Sequence, residues 1–189
     1  MGWAFYAPDG VVTGFGTALP STPLDGDIFI YTDSLTAPTY QWMLRYVAAK
    51  AADKWVFIGG SSMINQVATA EARANTAYGA LTTAQTLTVP VTGDYMIECG
   101  MTITAIGGTQ ASGAMSYSVG GTASSDVWAA IAVGRVASLS KLGSGHREYK
   151  WDNIAATTVI TAEFRSPDAA DSVTYAGRTL RLTPIAIGG

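Results

Sequence analysis

Charged side chains are scarce in this sequence. Only 13% of its 189 residues are Asp, Glu, Lys or Arg, whereas 48% are hydrophobic and the mean hydropathy is +0.22. An ordinary soluble domain carries about 25% charged residues. We therefore expect much of the surface to be buried against copies of the chain or against other subunits. The net charge of −3 disfavours a basic surface that could bind nucleic acid, so we expect no nucleic-acid partner.

The chain has one cysteine and one histidine. A single cysteine, Cys99, excludes an intrachain disulfide framework and a cysteine-rich zinc site. Because it lies in the apolar run 95–101, we predict a small buried side chain and not a catalytic thiolate. His146 has no second histidine or cysteine nearby that would complete a usual zinc site, so we predict a polar loop or edge-strand residue. We expect no metal and no cofactor.

Long apolar runs and helix signals are also lacking. The longest apolar stretches are far shorter than the ~20 residues of a membrane helix, so we expect no membrane insertion. The first residues do not resemble a secretion signal, because they lack Lys and Arg and Pro8 interrupts the apolar start. The best helix candidate, 48–53, is too short to define a fold, and 63–77 are predicted as strand or loop.

The first 60 residues predict a three-stranded β-meander. Alternation places Tyr40, Trp42, Leu44 and Tyr46 on one face of its middle strand. Three strands are stable only when one face is covered, so this unit should pack on the rest of the chain or on a neighbouring subunit. The predicted strands are 27–31, 40–46 and 54–58.

Residues 61–189 predict short strands at regular spacing, separated by glycine-containing turns. The alternation is clearest from Tyr95 to Ile103, where every second residue is apolar. This pattern favours an antiparallel β-sandwich of jelly-roll type. The expected fold is thus all-β, with a meander over 1–60 and a jelly-roll sandwich over 61–189. Its strands are expected near 79–89, 94–106, 113–119, 127–133, 135–140, 146–151, 157–166, 171–176 and 179–187.

Two stretches resemble known families. Residues 14–60 are similar to a segment of tailed-bacteriophage structural proteins that has the pattern LP-xx-P-x-DG, then W-x-LRY, then KW-x-F-x-GG. Val89 to Tyr95 is similar to the VP-x-x-G-x-Y turn of complement-globular-head and tumour-necrosis-factor-like jelly rolls, and 178–187 resembles their last, central strand. In this chain the phage landmarks are Leu19, Pro20, Pro23, Asp25, Gly26, Trp42, Leu44, Arg45, Tyr46, Lys54, Trp55, Phe57, Gly59 and Gly60.

The resemblance implies a virion structural protein, assembled in the host cytoplasm, whose jelly roll forms a homotrimer around an apolar strip. Residues 1–60 would attach the trimer to other virion proteins. A minor tail or tail-fibre protein is the preferred interpretation, and a capsid decoration protein or head fibre is the close alternative. The residues expected to dock on the virion are Trp42, Tyr46, Trp55 and Phe57. Those expected in the core or along the trimer seam are Tyr95, Ile97, Leu182 and Ile185.

No motif predicts a catalytic site, because no nucleophile elbow or phosphate-binding loop is present. Trp128 and Trp151 are candidates for contact with a host-surface glycan, with packing in the core or trimer seam as the alternative. A polysaccharide-degrading enzyme remains a second alternative, and its carboxylates would be Glu98, Glu148 or Glu163. Asp168 and Asp171 predict a capped turn in preference to a calcium loop. We expect the chain not to be an enzyme.

Overall fold

A computed structural model describes residues 12–107, 112–133 and 143–188. This part of the chain is all-β, as predicted, and its two sheets pack face to face as a sandwich. The strands are β1 (Val12–Gly16), β2 (Ile28–Thr32), β3 (Gln41–Tyr46), β4 (Trp55–Gly60), β5 (Met63–Val67), β6 (Glu71–Arg73), β7 (Thr86–Thr88), β8 (Gly93–Gly107), β9 (Ser112–Val119), β10 (Ala130–Val133), β11 (Ser144–Ile154), β12 (Val159–Arg165) and β13 (Ser172–Ile187). Within these ranges no helix is long and apolar enough to cross a membrane.

The larger sheet has nine strands and the smaller has four. The order in the larger sheet is β1-β2-β3-β4-β13-β8-β11, and β5 and β6 follow β4 along the same side of β13. The order in the smaller sheet is β10-β9-β12-β7. All neighbours are antiparallel except β1 and β2. The predicted meander is therefore present as β2-β3-β4, and β4 joins it to the sandwich through β13.

The last strand is longer than the sequence predicts. The predicted strands 171–176 and 179–187 form one 16-residue strand, β13, which pairs with β8 over most of its length. The pairing shifts register between Ala176 and Thr179, where Gly177 has a φ of 53°. Glycine adopts this left-handed conformation without a steric penalty, so the strand continues through a bulge instead of ending.

Other boundaries also differ from the predictions. The predicted strand 79–89 is reduced to the three residues of β7, and 127–133 begins with a short 3-10 helix, Asp126–Trp128, before β10. The Ser125 hydroxyl caps this helix by accepting a hydrogen bond from the Val127 amide. Residues 48–53 form turns and no helix, whereas 63–77 include the strands β5 and β6. The predicted strand 135–140 lies outside the described residues.

The inward faces of both sheets form one apolar core. The predicted faces of β3 and β8 are confirmed: Trp42 and Leu44 on β3, and every second residue from Tyr95 to Ile103 on β8, are buried. Tyr95, Ile97 and Leu182, predicted for the core or the trimer seam, lie in this core. Ile185 does not, because it sits in a second bulge of β13 and is half-buried.

Trp42 anchors the aromatic part of this core. Its side chain is fully buried, and its ring lies 4.6 Å from Tyr40, 5.8 Å from Tyr31 and 6.1 Å from Tyr95, measured between centroids. Tyr95 belongs to β8, so this cluster connects the meander with the sandwich. Aromatic pairs at such spacings are stabilising beyond the area that they bury.

Trp42→Ala should lower the free energy of unfolding by about 3–5 kcal/mol, because it opens a large cavity in this cluster. The matched control is Gln41→Ala, which alters the neighbouring exposed side chain and should leave stability nearly unchanged. Urea unfolding of both variants measures the difference. Equal midpoints for the two variants would contradict the packing described here.

Candidate functional site

Polar and charged side chains gather on the outward face of the nine-stranded sheet. Ile64 on β5, Arg181 on β13, Glu98 on β8 and Glu148 on β11 lie at matching register positions, and they form one row across four neighbouring strands. Their neighbours in the chain point inward, because side chains alternate between the two faces of a strand. Backbone hydrogen bonding between the strands thus fixes the relative positions of these side chains.

Glu98 has a nitrogen-bearing side chain close to each of its carboxylate oxygens. Its Oε2 atom accepts a hydrogen bond from Arg181 Nη1 at 3.1 Å, and its Oε1 atom lies 2.9 Å from His146 Nε2. His146 is paired with Gly100, two residues beyond Glu98 on β8. The imidazole lies across β8 beside Gly100, and its Cδ2 atom is 3.6 Å from the position that a Cβ at Gly100 would occupy, which is an ordinary van der Waals distance.

Glu148 completes a three-residue cluster with Glu98 and His146. One potential metal-ligating atom from each side chain lies within 4.8 Å of the others, and no comparable group of three occurs elsewhere in the described residues. Sequence analysis did not place Glu98 next to Glu148, because the register between β8 and β11 cannot be predicted from the sequence. Of the three carboxylates weighed for an enzyme, the structure brings Glu98 and Glu148 together. Glu163 lies on the other sheet, where Ser124 donates a hydrogen bond to it.

The outward face of the meander carries a row of apolar side chains. Phe15, Ile30 and Met43 occupy matching positions on β1, β2 and β3, and Ile58 follows on β4. Phe15 and Ile58 remain 46% and 47% exposed, and Met43 is 36% exposed. We call Phe15, Ile30, Met43 and Ile58 the apolar row.

The residues predicted to dock on the virion lie on the opposite, inward face of these strands. Trp42 and Trp55 are buried within the chain, and Tyr46 and Phe57 are partly buried against the same core. They therefore pack on the core side of the apolar row, and Tyr46 and Trp55 also line a pocket at the surface. Their docking role remains a prediction.

Landmarks of the phage-like segment meet at one pocket. It has a volume of about 380 Å³ and lies where the loop before β2 approaches the start of β4. The Tyr46 and Trp55 rings form one wall, with centroids 5.2 Å apart. The lining residues are Leu19, Pro20, Ser21, Pro23, Tyr46, Lys54, Trp55 and Gly188.

The two tryptophans considered for glycan contact belong to a separate aromatic cluster. Trp128 and Trp151 pack together with Tyr117 and Tyr149 at the edge of the sandwich, and their own rings are 5.1 Å apart. Both indoles donate internal hydrogen bonds, Trp128 to the Tyr117 carbonyl and Trp151 to the Tyr117 hydroxyl. Both rings are partly buried against the core.

The contacts of Asp168 and Cys99 indicate structural roles for both residues. Asp168 caps its own turn, because its carboxylate accepts a hydrogen bond from the Ala170 amide at 2.9 Å. The Cys99 thiol is buried and points towards the Met115 and Trp128 carbonyls. Burial raises the pKa of this thiol from 9.0 to about 11, so it is neutral at physiological pH and unsuited to nucleophilic catalysis.

Cys99 should react slowly with a thiol reagent at pH 8 in the folded protein and rapidly in guanidinium chloride. The raised pKa also predicts a pH effect: the thiol's contribution to stability is complete below pH 9 and is lost as pH rises towards 11. The reagent releases a chromophore when it reacts with the thiol, and the absorbance of that chromophore measures the two rates. Equal rates in the folded and unfolded protein would show that Cys99 is accessible.

No protein-family model matches this sequence, and no curated protein matches it either. The functional assignment therefore depends on the strand order, the surfaces described above and the resemblance in the sequence.

Proposed function

We propose that this chain is a non-enzymatic structural protein of a tailed-bacteriophage virion, and that it assembles as a homotrimer. A minor tail or tail-fibre protein that contacts the host surface is the preferred role. A capsid decoration protein or head fibre is the alternative. The observation that carries the proposal is the order of the strands in the two sheets.

Successive strands alternate between the two sheets of the sandwich. After β7 in the smaller sheet the chain passes to β8 in the larger, returns for β9 and β10, crosses to β11, returns for β12 and ends in β13. The last strand lies between β8 and the line of β5 and β6. This order supports the predicted jelly roll and the central position of the last strand that the resemblance implies.

The surface supports assembly with other subunits. The chain is low in charge, and apolar side chains remain exposed on both sheets, among them Ile131 and Val133 on β10 and Val159 on β12. Exposed apolar surface of this kind is typical of interaction sites. In this proposal the sandwich contributes the trimer contacts, and the apolar row of the meander faces the rest of the virion.

The alternatives from other functional classes have weaker support. A glycan-binding role would use the edges of Trp128 and Trp151, whose indole N–H groups are already engaged within the chain. A polysaccharide-degrading enzyme would use Glu98 and Glu148, which are adjacent but lie on the outward face of a sheet. Glycoside hydrolysis requires two carboxylates that flank a bound sugar in a cleft.

Purified particles from cells that produce this chain should contain it, and gold-labelled antibody against it should mark the tail in electron micrographs. Met43→Asp places a charge in the middle of the apolar row. This change should reduce the incorporation of the chain into particles. Because Met43 is exposed in the chain, the variant should fold normally.

The matched control is Gln41→Asp, which adds the same charge to the same outward face of β3. It should enter particles as the unchanged chain does. Label on the capsid would favour the decoration alternative, and absence of the chain from particles would contradict the virion role. Normal incorporation of Met43→Asp would show that the apolar row is not the docking surface.

A further inference from the structure

We propose that Glu98, His146 and Glu148 bind one divalent transition-metal ion of the zinc class on the outward face of the nine-stranded sheet. The cluster combines one imidazole nitrogen with two carboxylates, and this donor set suits zinc. Calcium is disfavoured, because it requires six to eight oxygen ligands. This inference is independent of the virion role.

The three side chains are held in place by adjacent strands. Glu98 and Glu148 lie directly opposite each other on β8 and β11, and His146 is two residues before Glu148. The ligating atoms already lie within 4.8 Å of one another, so an ion could bridge them without movement of the backbone. Three protein ligands would leave a coordination position open for water or for a group from another molecule.

Arg181 orients the carboxylate of Glu98. It binds Oε2, so the other oxygen, Oε1, faces His146 Nε2. A metal ion would bind between Oε1 and Nε2, and the hydrogen bond from Arg181 to Oε2 would remain. Residues that hydrogen-bond a metal ligand without contacting the metal commonly fix the orientation of that ligand.

The charges around the cluster favour a cation. Like charges directly opposite each other on neighbouring strands are destabilising. Arg181 offsets the charge of Glu98, but Glu148 makes no ion pair or hydrogen bond within the described residues. The nearest lysine along β11, Lys150, instead pairs with Asp94 and Asp152. A divalent ion would relieve the repulsion that remains between the two carboxylates.

Titration calorimetry of the full chain, without a histidine tag, tests the site with zinc chloride alone. We expect one zinc ion per chain. His146→Ala and Glu148→Gln should each weaken binding by at least about tenfold, because each removes a ligand. The matched control is Glu163→Gln, a glutamate on the outward face of the smaller sheet, and it should bind zinc as the unchanged chain does.

A second measurement uses the unchanged protein and does not depend on the folding of a variant. His146 is the only histidine of the chain, so its imidazole protons give a single set of resonances. These resonances should shift on addition of one equivalent of zinc. Absence of zinc binding, unshifted imidazole resonances, or zinc binding that persists in both His146→Ala and Glu148→Gln would overturn the proposal.

Discussion

The pairing of β13 with β8 is the interaction on which the rest of this structure depends. β13 extends over 16 residues, with β8 along one side and β4, β5 and β6 in succession along the other. It therefore connects the meander to the sandwich. Its inward side chains, Leu180 and Leu182, are fully buried, and burial of each contributes about 1.5–3 kcal/mol.

Because side chains alternate along these strands, one register determines both faces of the sheet. On the inward face it brings Tyr95 and Ile97 into the core, and on the outward face it places Glu98 beside Glu148 and Arg181. A shift of one residue in this strand pairing would move the outward side chains to the inward face and bury their charges. The core and the pairing of Glu98 with Arg181 are thus consequences of the register of β13 with β8, and the register of β8 with β11 adds Glu148.

Local pattern was sufficient to predict most strands but not their partners. The alternation from Tyr95 to Ile103 predicts β8 and its buried face, since that information lies within one segment. The sequence predicts two strands, 171–176 and 179–187, where the structure has the single strand β13, because a bulge is recognised only when a neighbouring strand continues past it. The cluster around His146 was missed for a similar reason: Glu148 lies two residues away on the same strand, but Glu98 joins them only through the register of β8 and β11, which sequence distance does not reveal.

The central claim is that this sandwich functions as a homotrimer, and the mass of the purified chain in solution tests it most directly. Light scattering coupled to size-exclusion chromatography measures that mass without reference to shape. The account predicts three subunits of 19.6 kDa each, in a species that persists on dilution. A stable monomer that remains soluble at high concentration would contradict it, because the exposed apolar side chains would then have no partner subunit to cover them.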